Sequence, residues 1–196
     1  LEIGAGAVRI AGTDKAMSFA EIAQLPGATP DLLTVKDTWK PPEATYPNGT
    51  HIAEIEIDGD TGATRIVNYV VVDDFGDTLN PHMLAGQVHG GAVQGIGQAL
   101  MEEVKFDSSG QMLTATYMDY AMPRAADSPS FHFETRNVRC VTNALGVKGA
   151  GEAGAIGACP AVMNAVVDAL KRAGKSTCID MPATPAKLMK LIRSGA

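Results

Sequence analysis

Aromatic side chains are scarce in this sequence, at 5% of residues, and its 16 Lys and Arg are outnumbered by 22 Asp and Glu, for a net charge of −6. The basic residues are scattered rather than striped along one segment. A nucleic-acid surface needs clustered positive charge and stacking rings, so that class of partner is disfavoured. Cysteine is equally thin. Cys140, Cys159 and Cys178 are widely spaced and contain no CxxC pair, so neither a disulfide framework nor a zinc site is signalled, and a reducing, cytoplasmic setting is expected. No apolar run approaches the roughly 20 residues of a membrane span, because Gly, Gln, Asn or Asp interrupts each one, and no span is expected. Residues 1–10 lack a basic stretch followed by an apolar one and do not read as an intact secretory signal. The first residue is Leu1 rather than Met, and the chain reads as cut from something longer.

What is present is a globular composition, 45% hydrophobic and 19% charged over 196 residues, enough for one large domain or two small lobes. Residues 7–10 suit a short strand, and Ser18 with Glu21 forms a capping-box pattern opening a short helix. Pro26, Pro30, Pro41, Pro42 and Pro47 then make residues 25–47 extended, with room for one strand over 33–38. Residues 1–47 are therefore read as a lead-in ending in a proline-rich linker, and residues 48–196 as the main domain. In the latter, residues 51–57 and 63–73 flank the turn sequence DGDTG and predict a hairpin. The second arm is almost continuously apolar, as suits a central strand covered on both faces.

Residues 81–103 predict a helix capped by Asn80 with Pro81 at its first position. Gly86, Gly90, Gly91, Gly95 and Gly97 each cost about 1 kcal/mol relative to Ala inside a helix, roughly 5 kcal/mol together. Either another element packs closely on this backbone, or a ligand does. A hairpin around Ser108-Ser109-Gly110, one or two strands over 131–141, a long helix from near Pro160 to Gly174 and a short helix after Pro185 complete the pattern. Hairpins interleaved with helices give an α+β fold in which a mixed sheet packs against helices.

The segment GVKGAGEAGAIG, residues 146–157, contains a formal GxGxxG at Gly149, Gly151 and Gly154. A dinucleotide-binding loop needs a strand before the glycines and a helix beginning among them. Residues 142–146 make a poor strand, the helix is expected late, and Glu152 would put a carboxylate among phosphates, so this reading ranks low. Read by its chemistry, the loop offers one carboxylate, Glu152, and one cation, Lys148, in a backbone that can crowd a bound group. A carboxylate enclosed by apolar loop and ligand suits a general base; the alternative is a solvated Glu at a helix entry.

Three collinear blocks carry a resemblance: VVVDDFGDTLNPHMLAGQVHGGAVQGIGQALMEE (70–103), DYAMPRAADSPSF (119–131) and TNALGVKGAGEAGAIGACPAVMNAVVDAL (142–170). Together they resemble the C-terminal portion of the molybdenum-binding large subunit in the xanthine dehydrogenase, aldehyde oxidase and aerobic carbon monoxide dehydrogenase family. The resemblance implies a fragment of a molybdopterin-dependent hydroxylase, inactive alone, that oxidises an electron-poor carbon with water as oxygen source. It makes Glu152 the catalytic base and Gln87 a pterin contact, with Gln94, Lys148, Gly149 and Gly151 as further cofactor-binding positions. The metal would be held by the dithiolene sulfurs of the cofactor, in forms that include the cytosine dinucleotide, and not by protein side chains such as His82 or His89.

Iron-sulfur and FAD centres on partner domains or subunits, the remaining N-terminal portion of the same subunit and a small-molecule substrate are implied as well; an apolar face left bare where that portion would dock makes self-association, as a homo-oligomer, expected. Asn143-Ala144-Leu145 stands where the family usually has Asn-Pro-Leu, and Cys159-Pro160 where Pro-Pro is common. A non-catalytic assembly domain of the same fold is the alternative function.

Overall fold

The computed structural model describes residues 1–194, which form two compact units, Leu1–Lys40 and a second running from Pro41. In the first, β1 (Glu2–Gly4), β2 (Ala7–Arg9) and β3 (Ala16–Ser18) form an antiparallel sheet in sequence order. The capping box is present: Ser18 Oγ accepts from the Glu21 amide at 3.2 Å, and Glu21 Oε2 accepts from the Ser18 amide at 2.8 Å, opening α1 (Phe19–Ala23). The strand expected over 33–38 does not form. Thr29 instead caps a single helical turn, α2 (Pro30–Leu33), because Pro30 sits at the position where its missing N–H costs nothing.

In the second unit the predicted hairpin is β4 (Asn48–Ile57) paired antiparallel with β5 (Thr64–Asp74). Its turn is fixed by Asp58, whose Oδ1 accepts from the amides of Asp60 (2.9 Å) and Thr61 (2.8 Å), and by Gly62 at φ +73°. β6 (Phe131–Thr135) joins the far side of β5 in parallel, so the sheet is mixed, in the order β4-β5-β6. β5 is central, as its apolar run implies. One of its faces is buried through Ile66, Tyr69 and Val71; on the other, Val67 is exposed while Val70 and Val72 are partly buried. Residues 104–113 turn back on themselves through one bridge, Phe106 with Met112.

Three helices complete this unit: α3 (Pro81–Leu100), α4 (Ala153–Arg172) and α5 (Pro185–Arg193). Asn80 caps α3 by accepting from the Met83 amide at 3.0 Å, as the sequence predicts. The start of α4 corrects the expectation of a helix from near Pro160, because it begins seven residues earlier, inside the glycine segment. Pro160 is tolerated on the exposed side of the helix, where the Ile156 carbonyl deprived of its donor is accessible to water. α4 also corrects the reading of apolar runs. Its 20 residues are long and apolar enough to meet the length and composition of a membrane span. Here it is a packed helix: Gly154, Ala158, Val162, Val166 and Leu170 form a buried stripe against α3 and β4.

The α3 glycines divide into two sets. A Cβ on Gly91 would lie 3.1 Å from the backbone of Gly154 and Ala155, and one on Gly95 would lie 2.7 Å from the Ala158 Cβ. A Cβ on Gly97 would meet Pro123 Cγ at 2.6 Å. These three glycines permit close packing of α3 on α4 and on the 123 loop. Gly86 and Gly90 have nothing within 4 Å of the same position. Gly95→Ala should therefore lower stability by about 1–3 kcal/mol through overpacking, whereas Gly90→Ala should raise it by about 0.5–1 kcal/mol through helix propensity. Urea denaturation of the two variants checks the opposite signs.

Candidate functional site

β5 ends on two buried acidic residues, Asp73 and Asp74, and the site is built around them. Asp74 is a hub. Its Oδ1 accepts from the amides of Gly76 (2.9 Å) and Val138 (3.0 Å), and its Oδ2 from the Lys148 ammonium at 2.5 Å. Burial acts to raise its pKa, but the Lys148 ion pair and the two amides outweigh that and hold Asp74 at about 2.

Around this hub the 138–148 loop is stitched to the end of β5. The Lys148 amide donates to the Phe75 carbonyl (2.8 Å), and the Gly146 carbonyl accepts from Asp77 (2.8 Å) and Cys140 (3.0 Å). Asn143 bonds both backbone groups of Val147 through its side chain. Gly76 and Gly146, both at positive φ, lie so close that a Cβ on Gly76 would overlap the Gly146 carbonyl.

Beyond Lys148 the chain crosses to α4 through the AGE segment, and a cleft of about 640 Å³ opens there. One wall is Gly149, Gly151, Glu152 and the first turns of α4; the other is residues 45–49 with Tyr46 and Pro47; Asp73 and His51 form the floor. The Gly149 amide is held by Thr45 Oγ1 at 3.1 Å. Glu152 is the N-cap residue of α4. Its side chain makes no capping bond and is exposed at the cleft. It thus stands at a helix entry, and among the described residues nothing encloses it.

The floor is a buried polar chain. Tyr69 Oη lies 2.9 Å from His51 Nδ1, and His51 Nε2 lies 3.4 Å from Asp73 Oδ2. Burial raises the Tyr69 pKa, and the Asp73 charge adds to it, so the phenol stays protonated. It therefore donates to Nδ1, which leaves Nε2 to carry the imidazole N–H towards Asp73. Gly157 makes room for the imidazole, since a Cβ there would meet three ring atoms at 2.6 Å.

The structure brings Gly149, Gly151 and Glu152 together at this cleft. Lys148 is turned inward to Asp74. Gln87 and Gln94 lie on the exposed side of α3 and do not line the cleft. His51, Tyr69, Asp73 and Asp74 escape the reading of the sequence. The available signal was a pair of acidic residues closing an apolar strand, a place where buried carboxylates need partners.

Comparison with known proteins fits this geometry into a family. A model described as "Molybdopterin cofactor-binding domain" matches residues 1–129. The chain belongs to that family. It is 36% identical over 189 residues to the nicotine 6-hydroxylase large subunit of Paenarthrobacter nicotinovorans, a match covering 96% of this chain and 23% of that protein. It is 33% identical over 193 residues to the carbon monoxide dehydrogenase large chain of Hydrogenophaga pseudoflava, covering 94% and 24%. The crystal structure of quinoline 2-oxidoreductase from Pseudomonas putida 86 superposes with a TM-score of 0.83 at 34% identity, over 100% of this chain and 26% of that one. The chain thus spans about a quarter of the length of these relatives, and its α+β fold with a mixed sheet is similar to the corresponding part of that crystal structure.

With the family shown, the dinucleotide reading falls. The helix does begin among the glycines, earlier than the sequence predicts, but no strand leads into them: Val147 forms only an isolated bridge with Gly76. A molybdopterin fits the residues present. Gly86 and Gly90, with open space where side chains would be, alternate on the exposed side of α3 with the amides of Gln87 and Gln94. Such a surface lets a flat polar ligand reach the helix and offers paired donors and acceptors to a heterocycle edge.

Asp74 also sets an acid limit on the site. Its folded-state pKa of about 2 lies below the roughly 3.9 of an unfolded Asp, so its stabilisation is complete above about pH 4 and is lost as the pH falls towards 2. Urea midpoints for wild type should drop across that window. Asp74→Asn, which leaves Lys148 buried without its counter-charge, should be less stable at pH 7 by about 3 kcal/mol and show a shallower loss in acid. An unchanged acid slope in the variant would show that the hub does not control it.

Proposed function

We propose that this chain is the C-terminal part of the large subunit of a molybdenum hydroxylase, inactive by itself, with residues 48–196 forming the cofactor-binding domain and residues 1–47 leading into it. The observation that carries the reading is Glu152, held at the entry of α4 by the loop anchored on Asp74, with its carboxylate unbonded and turned to a cleft. A bound molybdopterin, including its cytosine dinucleotide form, supplies the redox centre at which an electron-poor carbon is oxidised with water as oxygen source.

The residues of this chain then have separable duties. Glu152 takes the proton from the water-derived nucleophile and returns it to solvent, its unbonded carboxylate being free to accept. Gln87 and Gln94 hydrogen-bond the pterin edge along the open stretch of α3, and the Gly149 and Gly151 backbone admits it closely. Lys148 acts from beneath by holding the loop.

The remaining N-terminal portion, together with iron-sulfur and FAD partners in a cytoplasmic complex, would complete the enzyme. Exposed apolar residues such as Leu79, Met83 and Ile156 beside the proposed site support a docking face for that portion. Purines, aldehydes, N-heterocycles and carbon monoxide are the substrate classes this reading admits.

In the complete enzyme, Glu152→Gln should lower turnover by about 10²- to 10⁴-fold with molybdenum content unchanged. Gln87→Ala and Gly90→Ala should instead reduce molybdenum content, measured by plasma mass spectrometry. The isolated chain should retain no stoichiometric molybdenum. If Glu152→Gln kept nearly full kcat across the pH range, the base assignment would fall and a non-catalytic assembly role would move ahead.

A further inference from the structure

His51 stands between the sheet and the start of α4, and it takes no part in the proton chemistry of Glu152. It lies on β4 opposite Val71, with Tyr69 and Asp73 as its diagonal neighbours on β5. Both ring nitrogens are engaged from that strand: Nδ1 is 2.9 Å from Tyr69 Oη, and Nε2 is 3.4 Å from Asp73 Oδ2. Tyr69 is itself fully buried, its ring set edge-on to Phe131 at 5.3 Å between centroids. The His51 side chain, 5% exposed, is thus gripped at two points, and any turn of the ring would break both contacts.

Against this fixed ring rests the second turn of α4. A Cβ on Gly157 would stand 2.6 Å from Cδ2, Cε1 and Nδ1 of the imidazole, so the helix lies where it does because position 157 has no side chain. Gly157 follows Glu152 by five residues on the same helix, and a helical rod transmits any shift at one turn to the next. The connection that precedes Glu152 cannot fix its orientation, because Gly149 and Gly151 leave the backbone permissive. What α4 touches must do so. Gly154 and Ala158 meet α3, and His51 is the contact from the sheet.

We propose that His51, clamped by Tyr69 and Asp73, is a positioning residue: its ring is a stop against Gly157 that fixes the entry of α4 and with it the place of the Glu152 carboxylate. It touches neither substrate nor cofactor in this role. The role rests on the reading of Glu152 as base and deepens it by naming what holds the base in place.

The test is a set of variants of the complete molybdenum-loaded enzyme that carries this chain, with xanthine, benzaldehyde, quinoline and carbon monoxide as probe substrates. His51→Ala withdraws the stop, whereas Gly157→Ala drives a methyl group into it. Each should lower kcat at least about tenfold with KM and molybdenum content as in wild type, since a misplacement of about 1 Å can cost about 10²-fold. The double variant should turn over faster than either single one, because the methyl group enters room that the ring has left. In a Glu152→Gln background neither substitution should lower kcat further, as effects that act through one group are not additive.

Urea midpoints read the same contact without turnover: the double variant should lose less stability than the two single losses added together. Gly157→Ala keeps the hydrogen-bonding groups of His51 and carries the test alone if His51→Ala does not fold. Full kcat in a folded Gly157→Ala, or equal losses of kcat in the wild-type and Glu152→Gln backgrounds, overturns the positioning role. Full turnover of Glu152→Gln by itself is the separate result that overturns the base reading, and it removes what His51 would position.

Discussion

Glu152 can stand at its cleft because a buried ion pair elsewhere fixes the loop that carries it. The Asp74 carboxylate binds three donors from three segments: Gly76 just past β5, Val138 beyond β6, and Lys148 in the glycine segment. A glycine-rich stretch has a large conformational entropy to lose on ordering, and each anchoring bond must offset part of it. Attaching Lys148 at both ends, by its ammonium to Asp74 and by its amide to Phe75, leaves only Gly149, Ala150 and Gly151 to span the distance to α4. Removing one charge would strand the other in a sheltered place, and this is why the pair constrains the loop more than its net contribution to stability suggests.

The second constraint is how closely α4 approaches α3. Gly91 and Gly95 on one helix meet Gly154, Ala155 and Ala158 on the other, so backbone lies against backbone at the end of α4 that bears Glu152. A larger residue at these positions would push the start of α4 outward and move the carboxylate with it. His51 acts as a wedge from the sheet side, its ring filling the space that Gly157 leaves open. The position of Glu152 is thus set from two directions by small residues and one buried ring.

Much of this was legible in the sequence where the signal is local. The capping box at Ser18 and Glu21, the Asn80-Pro81 start of α3 and the DGDTG hairpin each rest on bonds within a few residues, and each appears where the pattern puts it. Signals failed where tertiary context decides. Pro160 reads as a helix start, yet it sits on the exposed side of a helix whose first turn is held by packing on α3. The glycines of α3 looked like one puzzle with two rival answers, but the helix faces separate them: Gly91, Gly95 and Gly97 pack, while Gly86 and Gly90 stay open. The partners of Asp73 and Asp74 were unreadable because they come from 22 residues before in one case and 74 after in the other.

The two acidic residues that end β5 show how one strand can serve two purposes at adjacent positions. Successive side chains on a strand point to opposite faces. Asp74 points to the loop side and is saturated with donors, which depresses its pKa and makes it a fixed anion. Asp73 points to the helix side and meets His51 at the long distance of 3.4 Å, its one side-chain partner among the described residues. A fully satisfied carboxylate can organise structure but has no acceptor capacity left for a ligand; a partly satisfied one is poorer structurally and better suited to recognition. Glu152, unbonded and exposed, lies at the far end of that series.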